Sequence, residues 1–477
     1  MKKTFNRSIG LILSLVILSA SLFTPASAAS FSMDESQWDS YWGSYCEDGS
    51  AVYLAPGSDE SQMNIAWMGA EECDLPEVHI KAQSESEYSV FTGVSVDTGA
   101  GEYSYHVTVT GLEFDTTYDY YCVANGVKTD DGTFKTSSGG DFSALYVTDI
   151  HLTYNENDET ELKNIACHVN DVFASAIDKN NDISLVFSGG DQATKGRLDE
   201  YKAAFSSPLV KSVPFALSCG NHDFKDVIYP TVANNPNVFN DKAISPDKNG
   251  GDYWFVKGDV LFLMMNTNWI SAEDHRTFLE LATKANPDVK WRVAVMHHDL
   301  YGGHIEHREE ENKLLRLMFP PLFDEFNVDV VFMGHSHIYS RSHVIYNNEV
   351  SDYLYNETSV TDPEGTVYIT SGSASRNRGD IGAGSDKVCV DCTDSEANFY
   401  SIIDFTEDSI TYNVYIYGND SEPYDTFTIN KTTAEGGHSD ETHLEYDFVY
   451  LISLIASIGR NIGYVFEKLF SMIGIEL

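Results

Sequence analysis

Positive charge is what this chain has least of. Across 477 residues, 30 Lys+Arg stand against 73 Asp+Glu, a formal net charge of −43. Such a surface repels polynucleotides and anionic lipid heads at long range, which argues against a nucleic-acid partner. The acidity suits solubility outside the cell, or a saline or calcium-containing medium. Long hydrophobic runs are missing too. The strongest late stretch, residues 448–459, is too short to cross ~30 Å of hydrocarbon. Cysteine is sparse and odd in number: Cys46, Cys73, Cys122, Cys167, Cys219, Cys389 and Cys392. An odd count cannot pair completely. Cys389-Val-Asp-Cys392 has zinc-knuckle spacing but no second pair, so it reads as a local disulfide or two thiols. Cys219 sits in an apolar run without basic company, the setting of a small buried hydrophobe rather than a nucleophile.

What is present argues for packed domains. A 42% hydrophobic and 13% aromatic content rules out general disorder, and the length exceeds one ordinary domain. Residues 1–28 read as a signal peptide. Lys2, Lys3 and Arg7 precede an apolar core over 9–18, and Ala26-Ser27-Ala28 is a cleavage site. The short core and that site disfavour a retained anchor. The lysine-led signal has a bacterial character, and the expected location is secreted, with cell-surface association left open. Without those three cations, 27 Lys+Arg face 73 Asp+Glu, a net charge near −46.

Five short clusters carry the chemistry, each just after an apolar β-type run. They are Asp149-Ile150-His151, Gly190-Asp191, Gly220-Asn221-His222-Asp223, His297-His298 and Gly334-His335-Ser336-His337. The runs before them span 143–148, 183–188, 214–218, 291–296 and 328–333. In an α/β sheet, ligands gather beyond the carboxyl ends of strands, so these side chains converge on one region. Carboxylate, imidazole and amide donors suit Mn, Fe or Zn, and a metal pair needs a bridging carboxylate, for which Asp191 is the candidate. A single Gly-Asp would be only a turn. The ordered series is not explained that way.

The series resembles that of the calcineurin-like metallophosphoesterase superfamily: D-x-H, G-D, G-N-H-D/E, H, G-H-x-H. The resemblance covers roughly residues 141–430. It implies an α/β four-layer sandwich, two mixed β-sheets flanked by helices. It also implies two divalent or trivalent metal ions. Asp149, His151, Asp191 and His337 would hold one metal, and Asp191, Asn221, His297 and His335 the other. Water activated between them would attack phosphorus in line. His222 would stabilise the phosphate or protonate the leaving oxygen, with Asp223 orienting it. His297 is preferred to His298 by the family's H-x-P pattern, although Asp299 replaces the proline and His298 stays open. His304 and His307, in a polar Gly-hinged loop, read as surface residues.

A closer likeness appears on both sides of the site. His335-Ser-His-Ile-Tyr-Ser-Arg-Ser342 is similar to the H-x-H-x-Y-x-R-S stretch of purple acid phosphatases. Upstream, Met63-Asn-Ile-Ala-Trp67, the segments 103–112 and 117–126, and Gly132-Thr-Phe-Lys-Thr136 alternate as short strands do. Their order resembles the fibronectin type III-like N-terminal domain of those enzymes, an all-β sandwich. One departure matters. Purple acid phosphatases place a tyrosine ligand where this chain has Thr194, and Gly where it has His151. The resemblance therefore implies a dinuclear phosphoesterase without the tyrosinate–iron chromophore, His151 supplying the missing ligand.

The expected organisation is signal peptide 1–28, extension 29–49, sandwich 50–137, metallophosphoesterase domain 141–431, acidic linker 432–446 and amphipathic helix 447–477. Helical spacing marks 159–177, 277–284 and 312–326, the last interrupted by Pro320-Pro321. Residues 224–259 read as an irregular loop which, with 300–311, would govern substrate choice. The segments 344–355, 366–372, 399–405 and 410–417 read as strands of a second sheet. The tail's polar and apolar faces fit a helix lying on a membrane, docking on a partner, or packing back on its own domain. The expected activity is hydrolysis of small phosphate esters, with monoesters favoured. The alternatives are a phosphodiesterase or nucleotide hydrolase on the same site, and a surface binding module with a vestigial phosphatase fold.

Overall fold

The computed structural model describes residues 31–437 apart from 49–50, 130, 240–249, 269–270, 303–310, 376–387, 394–396 and 434–435. The expected signal peptide, most of the expected acidic linker, the expected C-terminal amphipathic helix, His304 and His307 lie outside the described residues. Among those described, no helix is long and apolar enough to cross a membrane.

Residues 51–136 form a β-sandwich of a four-stranded and a five-stranded sheet. Alternation along Thr117–Ala124 buries Tyr118, Tyr120, Cys122 and Ala124 on one face. They meet Ile65, Trp67, Val78, Ile80, Val107 and Phe134 in a core of their own. The sandwich is docked on the larger domain. Tyr53 stacks on Phe205 at 3.9 Å and its hydroxyl donates to Val232 O at 2.6 Å. Tyr120 Oη donates to Lys211 O at 2.8 Å.

The larger domain has two facing mixed sheets. The seven-stranded sheet runs Phe215–Leu217, Ile183–Ser188, Phe142–Val147, Phe399–Phe405, Ser409–Ile416, Asp425–Asn430 and Ser359–Thr361. The eight-stranded sheet contains Tyr253–Lys257, Val260–Met265, Trp291–Met296, Val330–Met333, Thr366–Thr370, Tyr339–Tyr346 and Glu349–Asp352, with Cys389–Thr393 paired to Tyr339–Tyr346. Val260–Met265 is buried at every position, the pattern of a parallel strand covered on both faces. Tyr146, Phe187, Phe262, Phe332 and Phe405 fill the space between the sheets.

Helices cover both outer faces, which completes the four layers. Glu159–Lys179 is capped by the Asp158 carboxylate and buries Ala166, Val169, Phe173 and Ile177 against the seven-stranded sheet. Ala272–Ala285, capped by Ser271, and Glu311–Glu325 cover the other sheet with Phe278, Leu279, Phe319 and Phe323.

Several expectations need correction. The late strands do not make a sheet of their own. Phe399–Phe405 and Ser409–Ile416 extend the seven-stranded sheet, antiparallel to Phe142–Val147, while Thr366–Thr370 joins the other. Residues 344–355 contain a hairpin turning at Asn347 and Asn348, both at positive φ. The stretch 224–259 is not wholly irregular, since Tyr253–Lys257 forms the edge of the eight-stranded sheet. Pro320 and Pro321 do not interrupt the last helix, which runs through them. Burial of Met318, Phe319, Leu322 and Phe323 on both sides of the pair outweighs the two missing N–H donors. The extension contains a helix, Glu35–Asp48, whose Trp38 is 2% exposed and donates from Nε1 to Lys163 O at 3.3 Å.

Candidate metal centre

The five motif strands belong to different sheets. Phe142–Val147, Ile183–Ser188 and Phe215–Leu217 lie in one, and Trp291–Met296 and Val330–Met333 in the other. Their carboxyl ends meet at one edge of the sandwich, so the candidate ligands gather at the seam. The loops are tied before any side chain is considered. Asp149 N donates to Gly190 O at 2.9 Å, and His151 N to Asp191 O at 2.9 Å. Asp149, His151, Asp191, His335 and His337 all sit at positive φ, between 44° and 71°. A non-glycine residue held there is strained, at roughly 1 kcal/mol or more each, and persists where surroundings over-determine it. Gly220 is needed for close approach, because a Cβ there would lie 2.1 Å from Asp191 Oδ1.

The side chains form two nests that share Asp191. In the first, His151 Nε2 and His337 Nε2 are 3.0 Å apart, and Asp149 Oδ1 lies 3.7 and 3.2 Å from them. In the second, Asn221 Oδ1 lies 2.9 Å from His297 Nε2 and 3.1 Å from His335 Nδ1, which are 3.2 Å from each other. Asp191 Oδ2 stands between, 3.6 Å from His151 Nε2 and 3.4 Å from His297 Nε2. Ligand atoms about 2.0–2.1 Å from one ion are themselves about 3.0–3.4 Å apart, so most of these spacings suit a shared cation. Asp149 Oδ1 is buried without a hydrogen bond, as such a site would leave it. Triads such as Asp149–His151–His337 and Asp149–Asp191–His297 each bring ligand atoms within 4.8 Å.

The electrostatics follow from burial and proximity. Burial alone would raise the Asp149 carboxyl, but His337, His297 and His151 hold it well below the usual range. Burial likewise opposes the fall of Asp191 to about 2, which His297 and His151 produce. Burial pushes His151 down to about 3 against the pull of Asp191 and Asp149. It also works against His297, yet the Asp191 carboxylate raises that ring to about 10.

His222 stands at the rim, its Nε2 4.0 Å from Asp191 Oδ2 and its ring edge-on to His151. Asp223 does not orient it. The Asp223 carboxylate instead accepts the N–H groups of Asp191 at 2.7 Å, Gly220 at 2.9 Å, Ala193 at 3.1 Å and Gln192 at 3.3 Å, and the Tyr201 hydroxyl at 2.9 Å. It is fully buried and turned toward the loops that carry Asp191 and Asn221, away from the imidazole. Burial and the Asp191 charge push it up to about 7 against those donors. Thr194 O lies 2.7 Å and Lys225 Nζ 2.8 Å from His222 Nδ1, which donates to the carbonyl in one tautomer and accepts from the ammonium in the other. Thr194 Oγ1 donates to His151 O at 3.1 Å. Sequence reading missed Lys225 and Tyr201, which carry no motif, although a polar-ended Tyr on a helix is a reasonable signal for a buried hydrogen-bond donor. His298 Nδ1 lies 2.7 Å from Thr267 Oγ1, and its ring packs 4.7 Å from that of His335. Cys389 Sγ contacts Tyr301 O at 3.1 Å, and Cys219 is buried among apolar side chains.

Known proteins resemble this chain in sequence and in fold. The family description calcineurin-like phosphoesterase matches residues 142–339, and purple acid phosphatase N-terminal domain matches 50–136. The chain joins a calcineurin-like phosphoesterase domain to a purple acid phosphatase N-terminal domain. Purple acid phosphatase 1 of Ipomoea batatas is 26% identical over 294 residues, 58% of this chain and 59% of that one. The Fe(3+)-Zn(2+) purple acid phosphatase 12 of Arabidopsis thaliana is 25% identical over 324 residues, 63% of this chain and 65% of that one. The chain thus spans less than two thirds of the length of either relative. The solved purple acid phosphatase from yellow lupin (Lupinus luteus) seeds superposes with a TM-score of 0.66 at 16% identity, covering 81% of this chain and 75% of that one. At that identity the likeness is one of fold, and the phosphoesterase domain shares the layered sandwich.

Proposed function

We propose that this chain is a secreted, metal-dependent phosphoesterase that favours phosphate monoesters. The observation that carries the reading is the Asp191 carboxylate standing between two nests of imidazole, amide and carboxylate donors. Asp149, His151, Asp191 and His337 would hold one metal ion, and Asp191, Asn221, His297 and His335 the other. Bound there, two such ions supply Lewis-acid stabilisation of a phosphoryl group and activation of water. Fe, Mn and Zn fit the donor types, and the Fe(3+)-Zn(2+) relative supports that range. With Thr194 in place of a tyrosine ligand, no tyrosinate–iron absorption is expected.

The chain's own residues bind, orient and protonate. His222 Nε2 faces the nests from the rim, where it can donate to a phosphate oxygen or to the leaving oxygen. Lys225 Nζ donates to its other nitrogen, which leaves the proton on Nε2 and sets the ring's direction. Asp223 keeps the loops of Asp191 and Asn221 in register.

The test is phosphate release from p-nitrophenyl phosphate by the metal-depleted protein refilled with Mn, Zn or Fe, beside Asp191→Asn and the diester bis-p-nitrophenyl phosphate. Metal-dependent turnover that Asp191→Asn abolishes, faster on the monoester, is expected. Faster turnover of the diester would replace monoester preference with phosphodiesterase activity. No turnover of either compound with any metal would leave a phosphatase fold serving only as a binding module.

A further inference from the structure

The candidate site opens beside His222. That side chain is 28% exposed, against 2% for His151 and Asp191 and 9% for His337. Three cationic side chains lie around this opening. Lys225 Nζ reaches His222 Nδ1 at 2.8 Å and Thr194 O at 3.4 Å. The next residue, Lys195, donates from Nζ to Tyr154 O at 3.0 Å, three residues beyond His151. The Arg197 guanidinium lies 5.2 Å from the centre of the Tyr154 ring.

Chain geometry brings the three cations together. Gly196, at φ +70°, lets the 195–197 loop lie against the 223–226 turn, where a Cβ would stand 3.3 Å from Asp226 N. Neighbouring carboxylates offset this lip. Buried Glu200 accepts the backbone N–H groups of Lys195 at 2.9 Å, Arg197 at 3.2 Å and Tyr154 at 2.9 Å, Glu156 takes one arm of Arg197 at 3.3 Å, and Asp226 accepts the N–H of Val227. Among the described residues, the Lys195 and Lys225 ammonium groups contact carbonyl oxygens and an imidazole here, not carboxylates. In a chain with 30 cations and 73 acids, such a lip has a specific consequence. It offers N–H donors to an anion at the His222 flank of the site, where Asn221 and His335 are partly exposed as well.

We propose that Lys195, Arg197 and Lys225 form a subsite for a second phosphate, carried on the leaving-group side of the substrate. The inference rests on the phosphoesterase reading above and names its preferred substrate class, phosphate esters that bear another phosphate. With the reacting phosphoryl group in the nests, its ester oxygen faces His222. The rest of the leaving group then passes outward over that ring to Lys225. The two ammonium groups meet a phosphate as point charges, and Arg197 presents its unpaired N–H edge.

A matched pair of substrates isolates the effect. 3-Hydroxypropyl phosphate and 1,3-propanediol bisphosphate differ only in the second phosphate, and both are assayed with the metal-loaded enzyme by phosphate release. The expected result is a higher kcat/KM for the bisphosphate, expressed mainly in KM and falling with ionic strength. Lys225→Gln should lower the bisphosphate-to-monophosphate ratio about fivefold, as loss of an exposed ion pair does, and Lys195→Gln/Arg197→Gln/Lys225→Gln at least about tenfold. Lys225→Arg should restore most of the ratio. Because His222 touches Lys225, the monophosphate rate is measured in every variant, and only the ratio decides. A ratio that stays within twofold of the wild type in the triple variant, while the wild type turns over both esters, overturns the subsite alone. Absence of Asp191-dependent turnover of either ester in the wild type overturns the phosphoesterase reading, and the subsite with it.

Discussion

Asp223→Asn separates two roles that the same carboxylate might play. If it oriented His222, the substitution would slow turnover and leave folding untouched. The structure instead shows a fully buried carboxylate that accepts four backbone N–H groups and one hydroxyl. An asparagine fits the space, and its best orientation keeps the oxygen toward Gly220, Asp191 and Gln192. Its NH2 then faces the Ala193 N–H. The Tyr201 hydroxyl can rotate to accept, but Ala193 N–H is left unpaired, at about 1–3 kcal/mol. The expected destabilisation is about 1–3 kcal/mol at pH 4, and it shrinks toward pH 8, because above the unfolded value the wild type carries a buried charge, its pKa pushed up to about 7, that asparagine lacks. It is measured by urea unfolding of the metal-depleted protein at both pH values, so that metal binding does not mask it. Turnover should fall as well, because Asp191 and Asn221 ride on the same loops. A variant within about 0.5 kcal/mol of wild type at pH 4, slowed only in turnover, would refute this account and restore the orienting role.

Two further outcomes follow from the geometry. Gly220→Ala would place a Cβ 2.1 Å from Asp191 Oδ1, and a shift of that carboxylate should cut kcat/KM for p-nitrophenyl phosphate at least about a hundredfold, with reduced metal content by elemental analysis. Asp425 supplies a pH-dependent term remote from the site. Burial works to raise its carboxyl, but Arg341 at 2.7 and 3.1 Å and the Tyr339 hydroxyl hold it below the ordinary value. A depressed folded pKa gives stability that is full above the unfolded value of about 3.9 and is lost as pH falls through the folded one. Asp425→Asn should therefore cost about 3 kcal/mol at pH 7, since it leaves Arg341 buried, and the gap to wild type should close in strong acid. A gap that is constant with pH would contradict the ion pair.

The candidate donors were legible because this chemistry demands particular residue types in a set order. Asp149, His151, Asp191, Asn221, His297, His335 and His337 each follow a strand, and the structure brings all seven together. The sandwich strands and the crossover helix Glu159–Lys179 were legible through periods of two and 3.6. Other features left no such trace. The edge strand Tyr253–Lys257 is short and adjoins a polar stretch, so composition hid it. The helix Glu35–Asp48 has a weakly patterned surface, yet Trp38 docks it on the phosphoesterase domain.

The sequence by itself determined which atoms are available, in what order, and at the end of which kind of element. That information is local, since a strand followed by Gly-Asp or Gly-Asn-His is written in adjacent residues. Only the tertiary structure decided how the strands divide between two sheets, because pairing partners such as Phe142 and Phe405 are far apart in the chain. It also decided that Asp223 serves the backbone rather than His222, and that Lys195, Arg197 and Lys225 share one lip. A carboxylate's partners depend on where its side chain points once the loops close. Five of the candidate ligands hold strained positive-φ conformations, a state that packing of the whole site imposes and no single residue prefers.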